Sequence, residues 1–153
     1  MIKLKESVII AAPPEKVFDM IDDAAGMPEV WRNISNVRNL KRLPNGGNSF
    51  QFDYTMIGIR IEVTSVDLAH TRPLSIVTRT TGGIISTLNW DFQPIPGVAE
   101  TNLVLEIKYE VPVPVVGKLA EVIVAKVNET DVVYALNYLK LKLEKIERNP
   151  NPG

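Results

Sequence analysis

The sequence contains no cysteine, and this absence removes several kinds of chemistry at once. Disulfides, thiolate metal ligands and a cysteine nucleophile are all excluded. Histidine is almost as scarce, because His70 is the only one. One histidine without nearby carboxylate or thiolate ligands makes a poor metal site. We therefore expect no metal and no cofactor, and we assign a structural role to His70, which the pattern places in a loop between strands.

An excess of charge of either sign is also missing. Seventeen basic and eighteen acidic residues give a net charge of −1, which offers no electrostatic basis for binding nucleic acid. No apolar run approaches the length of a membrane-spanning helix. The first residues are charged and alternating, unlike those of a signal peptide. We expect a cytoplasmic protein, and the sequence leaves transient membrane contact and a monomeric or homodimeric state open.

The usual signatures of an active site are absent as well. Gly46-Gly47 and Gly82-Gly83 are turn pairs that do not open helices, so neither is a phosphate-binding loop. No serine lies in a nucleophile elbow. Asp22-Asp23 is an acidic pair at the end of a predicted helix, where exposure to solvent is a simpler explanation than a cation site. The sequence thus identifies no catalytic residue.

The spacing of apolar residues predicts one α+β domain over residues 1–148, followed by a short disordered tail at 149–153. A first strand precedes two short helices, Glu15–Asp22 and a second one through Trp31. Alternation then predicts six further strands joined by hairpin-length turns, which make the sheet antiparallel. The seven strands are expected near residues 2–10, 36–43, 49–56, 59–68, 74–81, 88–93 and 103–111. Val66 and Leu68 fall out of phase, which predicts a bulge near Thr64 and Ser65.

A long helix over Val115–Glu147 is the only element long enough to cover the apolar face of this sheet. Its longest stripe of residues at spacings of three and four is expected to face the sheet. The stripe consists of Leu119, Val122, Ile123, Lys126, Val127, Thr130, Val133, Tyr134, Asn137 and Leu141. A second apolar line, on nearly the opposite side, contains Val132, Leu136, Leu139, Leu143 and Ile146. That line could pack on a neighbouring segment, a second subunit or a lipid surface.

The alternation also predicts which polar groups point inwards. Asp53, Glu62, Asp91, Glu106 and Glu110 lie between inward apolar residues and are expected on the solvated face. The inward polar groups are then hydroxyls and amides, together with Lys126, whose side chain could equally reach solvent. Such groups suit a chamber that holds a molecule better than they suit an acid/base pair.

Several motifs resemble one known superfamily. Residues 9–18, Ile-Ile-Ala-Ala-Pro-Pro-Glu-Lys-Val-Phe, are similar to the opening of the START, Bet v 1 and polyketide cyclase proteins. Met27–Trp31, Thr80–Gly83 and Trp90–Pro94 resemble later motifs of the same proteins. The resemblance covers residues 2–147 and implies the helix-grip fold, in which a strongly curved seven-stranded antiparallel sheet wraps around a long C-terminal helix. It also implies a deep apolar cavity for sterols, other lipids, quinones, plant hormones or polyketides.

We therefore predict a protein that binds or carries a small hydrophobic molecule between the sheet and the long helix. Two alternatives stay open, a polyketide cyclase or dehydratase that uses a tyrosine or Lys126 as proton donor, and a non-catalytic module that binds a partner through Leu136, Leu139 and Leu143. The predicted ligand-binding residues are Trp31, Phe52, Tyr54, Met56, Ile61, Thr78, Thr80, Trp90, Leu105, Tyr109, Leu119, Ile123, Val127, Thr130 and Tyr134.

Overall fold

The computed structural model describes residues 2–56, 58–110 and 118–149, with side chains in the last range from residue 125 onward. The helices of this part are α1 (Pro14–Asp22), a short 3-10 turn (Ala24–Gly26), α2 (Met27–Val30) and α3 (Lys118–Arg148). The strands are β1 (Ile2–Ile10), β2 (Ile34–Arg42), β3 (Asn48–Met56), β4 (Ile59–Thr71), β5 (Ser75–Gly82), β6 (Ile85–Pro94) and β7 (Thr101–Glu110). The predicted fold class, with two short helices after the first strand, is confirmed.

All seven strands belong to one antiparallel sheet with the order β1-β7-β6-β5-β4-β3-β2. Strands β2 to β7 follow one another as neighbours, whereas β1 pairs with β7, from Ile2 opposite Tyr109 to Ile10 opposite Thr101. Strands β1 and β2 are therefore the two edges of the sheet. The segment that carries α1 and α2 crosses from one edge to the other, and Pro14 at the start of α1 suits a first helical turn because its nitrogen has no hydrogen to leave unpaired.

A packed core lies between the second half of α3 and the strands at the β1 edge. Its residues are aliphatic or aromatic and almost fully buried: Ile10, Phe18, Phe92, Leu103, Leu105, Val132, Ala135, Leu136, Leu139 and Leu143. Full burial of one such leucine or phenylalanine side chain stabilises the fold by about 1.5–3 kcal/mol. Within the described residues, no helix has both the length and the apolar character needed to cross a membrane.

The predicted orientation of the long helix is wrong for the part of α3 whose side chains are described. Tyr134 is 43% exposed and Leu141 is 67% exposed. Val127 is half-buried, whereas four other stripe residues are also exposed: Lys126, Thr130, Val133 and Asn137. The second apolar line packs instead, except that Ile146 is exposed. Because Leu136, Leu139 and Leu143 belong to the packed core, they cannot form the surface of a partner-binding module.

Strand β4 also departs from the prediction, since no bulge occurs near Thr64 and Ser65. The pairing of β4 with β3 is uninterrupted over residues 59–66, and the irregularity lies against β5, just after Asp67. The inward phase therefore continues through the polar residues Ser65 and Asp67, while Leu68 faces outwards. The strand runs on to Thr71, so that His70 lies in β4 rather than in a loop.

Asp53 is the exception among the carboxylates predicted to face solvent. Glu62 and Asp91 are exposed as expected, whereas Asp53 is 3% exposed. The pairing of β2 with β3 shifts register on both sides of Arg38. This irregular strand brings the Asn36 amide and the Arg38 guanidinium to the Asp53 carboxylate, at 3.3 and 3.1 Å. Asp53 thus ties the edge strand to the sheet.

Candidate functional site

A chamber with a cavity volume of about 160 Å³ lies between the sheet and the helices. Its wall is mainly apolar. Met20, Met27 and Trp31 close it on the side of the short helices, and Phe52 and Met56 of β3 form part of the opposite wall. An apolar cavity of this size in other proteins admits a molecule such as benzene, so the chamber has room for a small ring compound.

Most of the ligand-binding residues predicted outside the long helix lie in the wall of this chamber. They are Trp31, Phe52, Tyr54, Met56, Thr78, Thr80, Trp90 and Tyr109. Ile61 and Leu105 are buried beside the chamber without lining it, and Leu105 belongs to the packed core. For the residues on strands, the period of two in the sequence predicted that their side chains share the inward face of the sheet. Trp31 follows α2 instead. The role of all these side chains in binding stays a prediction.

Three of the residues predicted on the helix do not line the chamber: Val127, Thr130 and Tyr134. Val127 is half-buried and packs against the β3–β4 side of the molecule. Thr130 donates its hydroxyl to a carbonyl oxygen of its own helix at 2.9 Å, and the Tyr134 ring lies on the outer surface. The side chains of Leu119 and Ile123 lie outside the described residues. Among the described side chains of α3, those that line the chamber are Asn128, Asp131 and Val132.

A buried carboxylate on α3 forms the centre of a polar network where this helix meets β3. Asp131 is 4% exposed, and it accepts hydrogen bonds from the Tyr54 hydroxyl at 2.5 Å and from the Asn33 amide at 2.7 Å. The Arg32 guanidinium approaches its other oxygen to 3.3 Å. We call these residues, together with Asn128, the Asp131 network. Each bond offsets part of the cost of burying the carboxylate.

The Tyr54 hydroxyl oxygen also lies 2.9 Å from the amide oxygen Oδ1 of Asn128. A tyrosine hydroxyl has one proton, so Tyr54 shares it between two acceptors, Asn128 Oδ1 and the Asp131 carboxylate, and the contact to Asp131 is the shorter. Burial raises the pKa of Tyr54 far above its ordinary value, and the hydrogen bond to the Asp131 carboxylate and its negative charge raise it further. Tyr54 is therefore a neutral donor at physiological pH.

Tyr109 supplies a polar group that is free to bind a ligand. Its side chain is 5% exposed, and it lines the chamber. Among the described residues, its hydroxyl is the one buried side-chain oxygen or nitrogen without a hydrogen-bond partner. Burial raises the pKa of Tyr109, and the nearby Asn128 amide lowers it in part. An unpaired buried hydroxyl costs free energy, and a ligand atom that bonds to it would remove that cost.

A second polar network surrounds Asp67 on β4. The Asp67 carboxylate accepts hydrogen bonds from the Asn48 backbone N–H at 2.8 Å and from the Thr78 hydroxyl at 2.7 Å. The Asn45 amide donates to the Asp67 backbone carbonyl at 2.9 Å. A Cβ atom on Gly47 would lie 2.5 Å from that of Asp67, so the glycine of the β2–β3 turn lets this turn approach the carboxylate. We call these five residues the Asp67 network.

In the acidic pair at the end of α1, Asp22 is partly buried, whereas Asp23 is exposed as expected. Asp22 lines the chamber, and its carboxylate pairs with His70 Nε2 at 3.0 Å and with the Arg42 guanidinium at 3.2 Å. The His70 ring meets the Phe18 ring edge-on, with 5.0 Å between centroids. His70 thus joins α1 to β4, in agreement with a structural role.

The sequence reasoning placed none of the five carboxylates of the wall in the chamber: Asp22, Asp23, Asp67, Glu110 and Asp131. A signal for two of them was present. Asp131 continues the second apolar line of α3 towards the N-terminus at helical spacing, and Asp67 continues the inward phase of β4 at a spacing of two. Both were overlooked because the apolar residues beside them were assumed to face inwards.

The sequence matches the profile of one protein family, described as polyketide cyclase / dehydrase and lipid transport, over residues 1–144. A comparison with curated proteins gives no match. Among solved structures, the chain resembles a START superfamily protein from Mycobacterium smegmatis, with 18% identity and a TM-score of 0.77 over 94% of this chain and 98% of that chain. It also resembles the Zhui aromatase/cyclase from Streptomyces sp. R1128, with 18% identity and a TM-score of 0.78 over 99% of this chain and 96% of that chain. At these identities the likeness shows the fold alone, and it confirms the helix-grip arrangement.

Proposed function

This chain belongs to the polyketide cyclase / dehydrase and lipid transport family, and we propose that it binds or carries a small, largely apolar molecule in the chamber. The observation that carries the proposal is the Tyr109 hydroxyl, which is buried in an apolar wall without a partner. Apolar walls hold the body of a ligand through burial of its surface, and a few polar groups fix its orientation. The ligand would place a hydroxyl or carbonyl oxygen at Tyr109.

The proposal is tested by filling the chamber. Leu88 on β6 lines the chamber and makes no polar contact, so Leu88→Trp would occupy the space of the ligand. The matched control is Leu68→Trp, because Leu68 is 56% exposed on the outer face of the sheet. The probe is 1-naphthalenemethanol, and its binding is measured by titration calorimetry. We expect Leu88→Trp to abolish binding and Leu68→Trp to preserve it. Equal affinity in the two variants would contradict the proposed site.

Proton-transfer catalysis is the second candidate function, and the tyrosines favour it. Tyr54 and Tyr109 both present hydroxyls at the chamber wall, and the raised pKa of each keeps it protonated. When a β-hydroxy carbonyl compound loses water, such a group can donate a proton to the leaving hydroxyl as the C–O bond breaks, and the resulting tyrosinate can take the α-proton as the double bond forms. Lys126, the alternative donor predicted from the sequence, is exposed and lies 3.9 Å from Glu129, outside the chamber wall.

The catalytic candidate predicts turnover of a cyclic β-hydroxy ketone to the enone, which is measured by its ultraviolet absorbance. Tyr109→Phe would remove the proton donor and lower the rate while the ring still lines the chamber. The absence of turnover in the unmodified protein, with binding of the same compound retained, would favour the carrier function.

A further inference from the structure

The ionisable side chains in the chamber wall are all of one sign. The wall contains five carboxylates, those of Asp22, Asp23, Asp67, Glu110 and Asp131. Among the described residues that line it, none is lysine, arginine or histidine. The chain as a whole is nearly neutral, so the excess of acidic over basic side chains is a property of the chamber wall and not of the overall composition.

Asp67 differs from the other four carboxylates in its burial and its partners, because Asp23 and Glu110 are exposed to solvent. Asp131 has Arg32, and Asp22 has Arg42 and His70, within ion-pairing distance. Within the part of the chain that the structure describes, no cationic group lies within that distance of Asp67, whose hydrogen-bond donors are a backbone N–H and a hydroxyl. Asp67 is 7% exposed. Its negative charge is therefore left uncompensated at the chamber wall.

We propose that the chamber selects neutral or cationic ligands and rejects anionic ones, and that the Asp67 carboxylate is the group responsible for this selectivity. This inference rests on the proposed ligand-binding function. A carboxylate or phosphate on a ligand would be removed from water and brought towards a like charge, and the repulsion between charges is stronger in a partly apolar interior than in water. An alcohol avoids the repulsion, and an ammonium group is attracted. Selection by a repulsive group is a general route to specificity.

The inference narrows the ligand class. Free fatty acids and phosphorylated lipids are disfavoured, because each carries the rejected charge. Hydroxylated ring compounds and amines fit the chamber, since Tyr109 can bond to a ligand oxygen while the Asp67 network accepts from a ligand donor. The same apolar walls would serve each class, so charge is the property that separates them.

The test uses three probes with one apolar body, 1-naphthylmethylamine, 1-naphthalenemethanol and 1-naphthoate, each titrated into the protein by calorimetry at neutral pH and physiological salt. We expect the amine and the alcohol to bind at least about tenfold more tightly than the carboxylate, since like charges repel strongly in a low-dielectric site. Binding of 1-naphthoate as tight as that of the alcohol would overturn the inference and leave the proposed function intact. Failure of all three probes to bind would contradict the proposed function itself, and the inference with it.

The Asp67→Asn variant shows whether this carboxylate is responsible. The amide keeps the size of the side chain, its oxygen can accept from the Asn48 backbone N–H, and its NH2 can donate to the Thr78 hydroxyl oxygen, so both contacts are kept while the charge is removed. We expect the variant to bind 1-naphthoate more tightly and the amine less tightly. Asp91→Asn is the matched control, because Asp91 is exposed and lies outside the chamber wall. If the ratios of affinity among the three probes were the same in the two variants, the Asp67 carboxylate would not be responsible for the selectivity. The ranking in the unmodified protein tests selectivity even if Asp67→Asn does not fold.

Discussion

The packed core and the chamber lie under the same sheet and are covered by the same helix, and they share a few residues such as Val132 and Trp90, but most of their side chains differ in kind. Leu139, Phe92 and Leu103 of the packed core are almost completely buried and contact one another directly. The chamber wall combines aromatic and methionine side chains with carboxylates and hydroxyls, and space remains between them. The comparison indicates that aliphatic packing stabilises one end of the molecule. At the other end the side chains are packed less closely, and we propose that a ligand fills the space between them.

The largest expected effect comes from breaking the packed core. Leu139 is fully buried on α3, so Leu139→Ala removes contacts and leaves a void. We expect the free energy of unfolding to fall by about 2–5 kcal/mol, measured by urea denaturation. The control, Leu141→Ala on the exposed side of the same helix, should change it by no more than about 0.5 kcal/mol. Similar losses in the two variants would mean that the helix is turned the other way.

A smaller effect is the pH dependence of the free energy of unfolding, to which Tyr54 in the chamber wall contributes. The pKa of Tyr54 is raised in the folded state, so above pH of about 10 the unfolded chain loses this proton while the folded chain keeps it. The contribution of Tyr54 to stability is therefore complete below that pH and falls as the pH rises. The slope attributable to Tyr54 is about 1.4 kcal/mol per pH unit.

The measurement is urea denaturation of the unmodified protein and of Tyr54→Phe between neutral pH and pH of about 11. We expect the loss of stability above pH of about 10 to be less steep in Tyr54→Phe. Tyr134→Phe, which alters a ring on the outer surface, is the matched control. Parallel curves for the unmodified protein and Tyr54→Phe would show that the Tyr54 hydroxyl is not held in the Asp131 network.

The smallest expected change in stability comes from Tyr109→Phe. Among the described residues the hydroxyl has no hydrogen-bond partner, so its removal should not lower the free energy of unfolding and should raise it by up to about 1 kcal/mol, because the buried unpaired group costs free energy. Affinity for 1-naphthalenemethanol should fall about three- to tenfold, the value of one ordinary hydrogen bond. A large loss of stability with unchanged affinity would assign Tyr109 to the packing of the fold instead of to the ligand.

The sheet could be predicted from the sequence because alternation depends on short-range spacing. Phe52, Tyr54 and Met56 were placed on the chamber side from their period of two alone, and the order of elements and the family motifs gave the fold class. The strand ends differ by a few residues, and His70 was assigned to a loop because β4 continues beyond its apolar stretch.

The chamber could not be predicted in full, and the reason is physical. The rule that apolar residues face inwards holds where the interior is filled, but it fails where polar groups line a cavity. In β4 the inward residues after Val63 are Ser65 and Asp67, and in α3 the inward line reaches Asp131. These polar groups are tolerated because hydrogen bonds from elements distant in sequence satisfy them, and a local pattern contains no information about such partners.

The central claim is that the chamber holds a small, largely apolar molecule, and native mass spectrometry tests it most directly. The unmodified protein, Leu88→Trp and Leu68→Trp would each be incubated with an apolar extract of the host, purified gently and then denatured to release any bound molecule. The proposal predicts the same stoichiometric small molecule on the unmodified protein and on Leu68→Trp, and none on Leu88→Trp. The absence of a bound molecule from all three, or equal occupancy of all three, would contradict it.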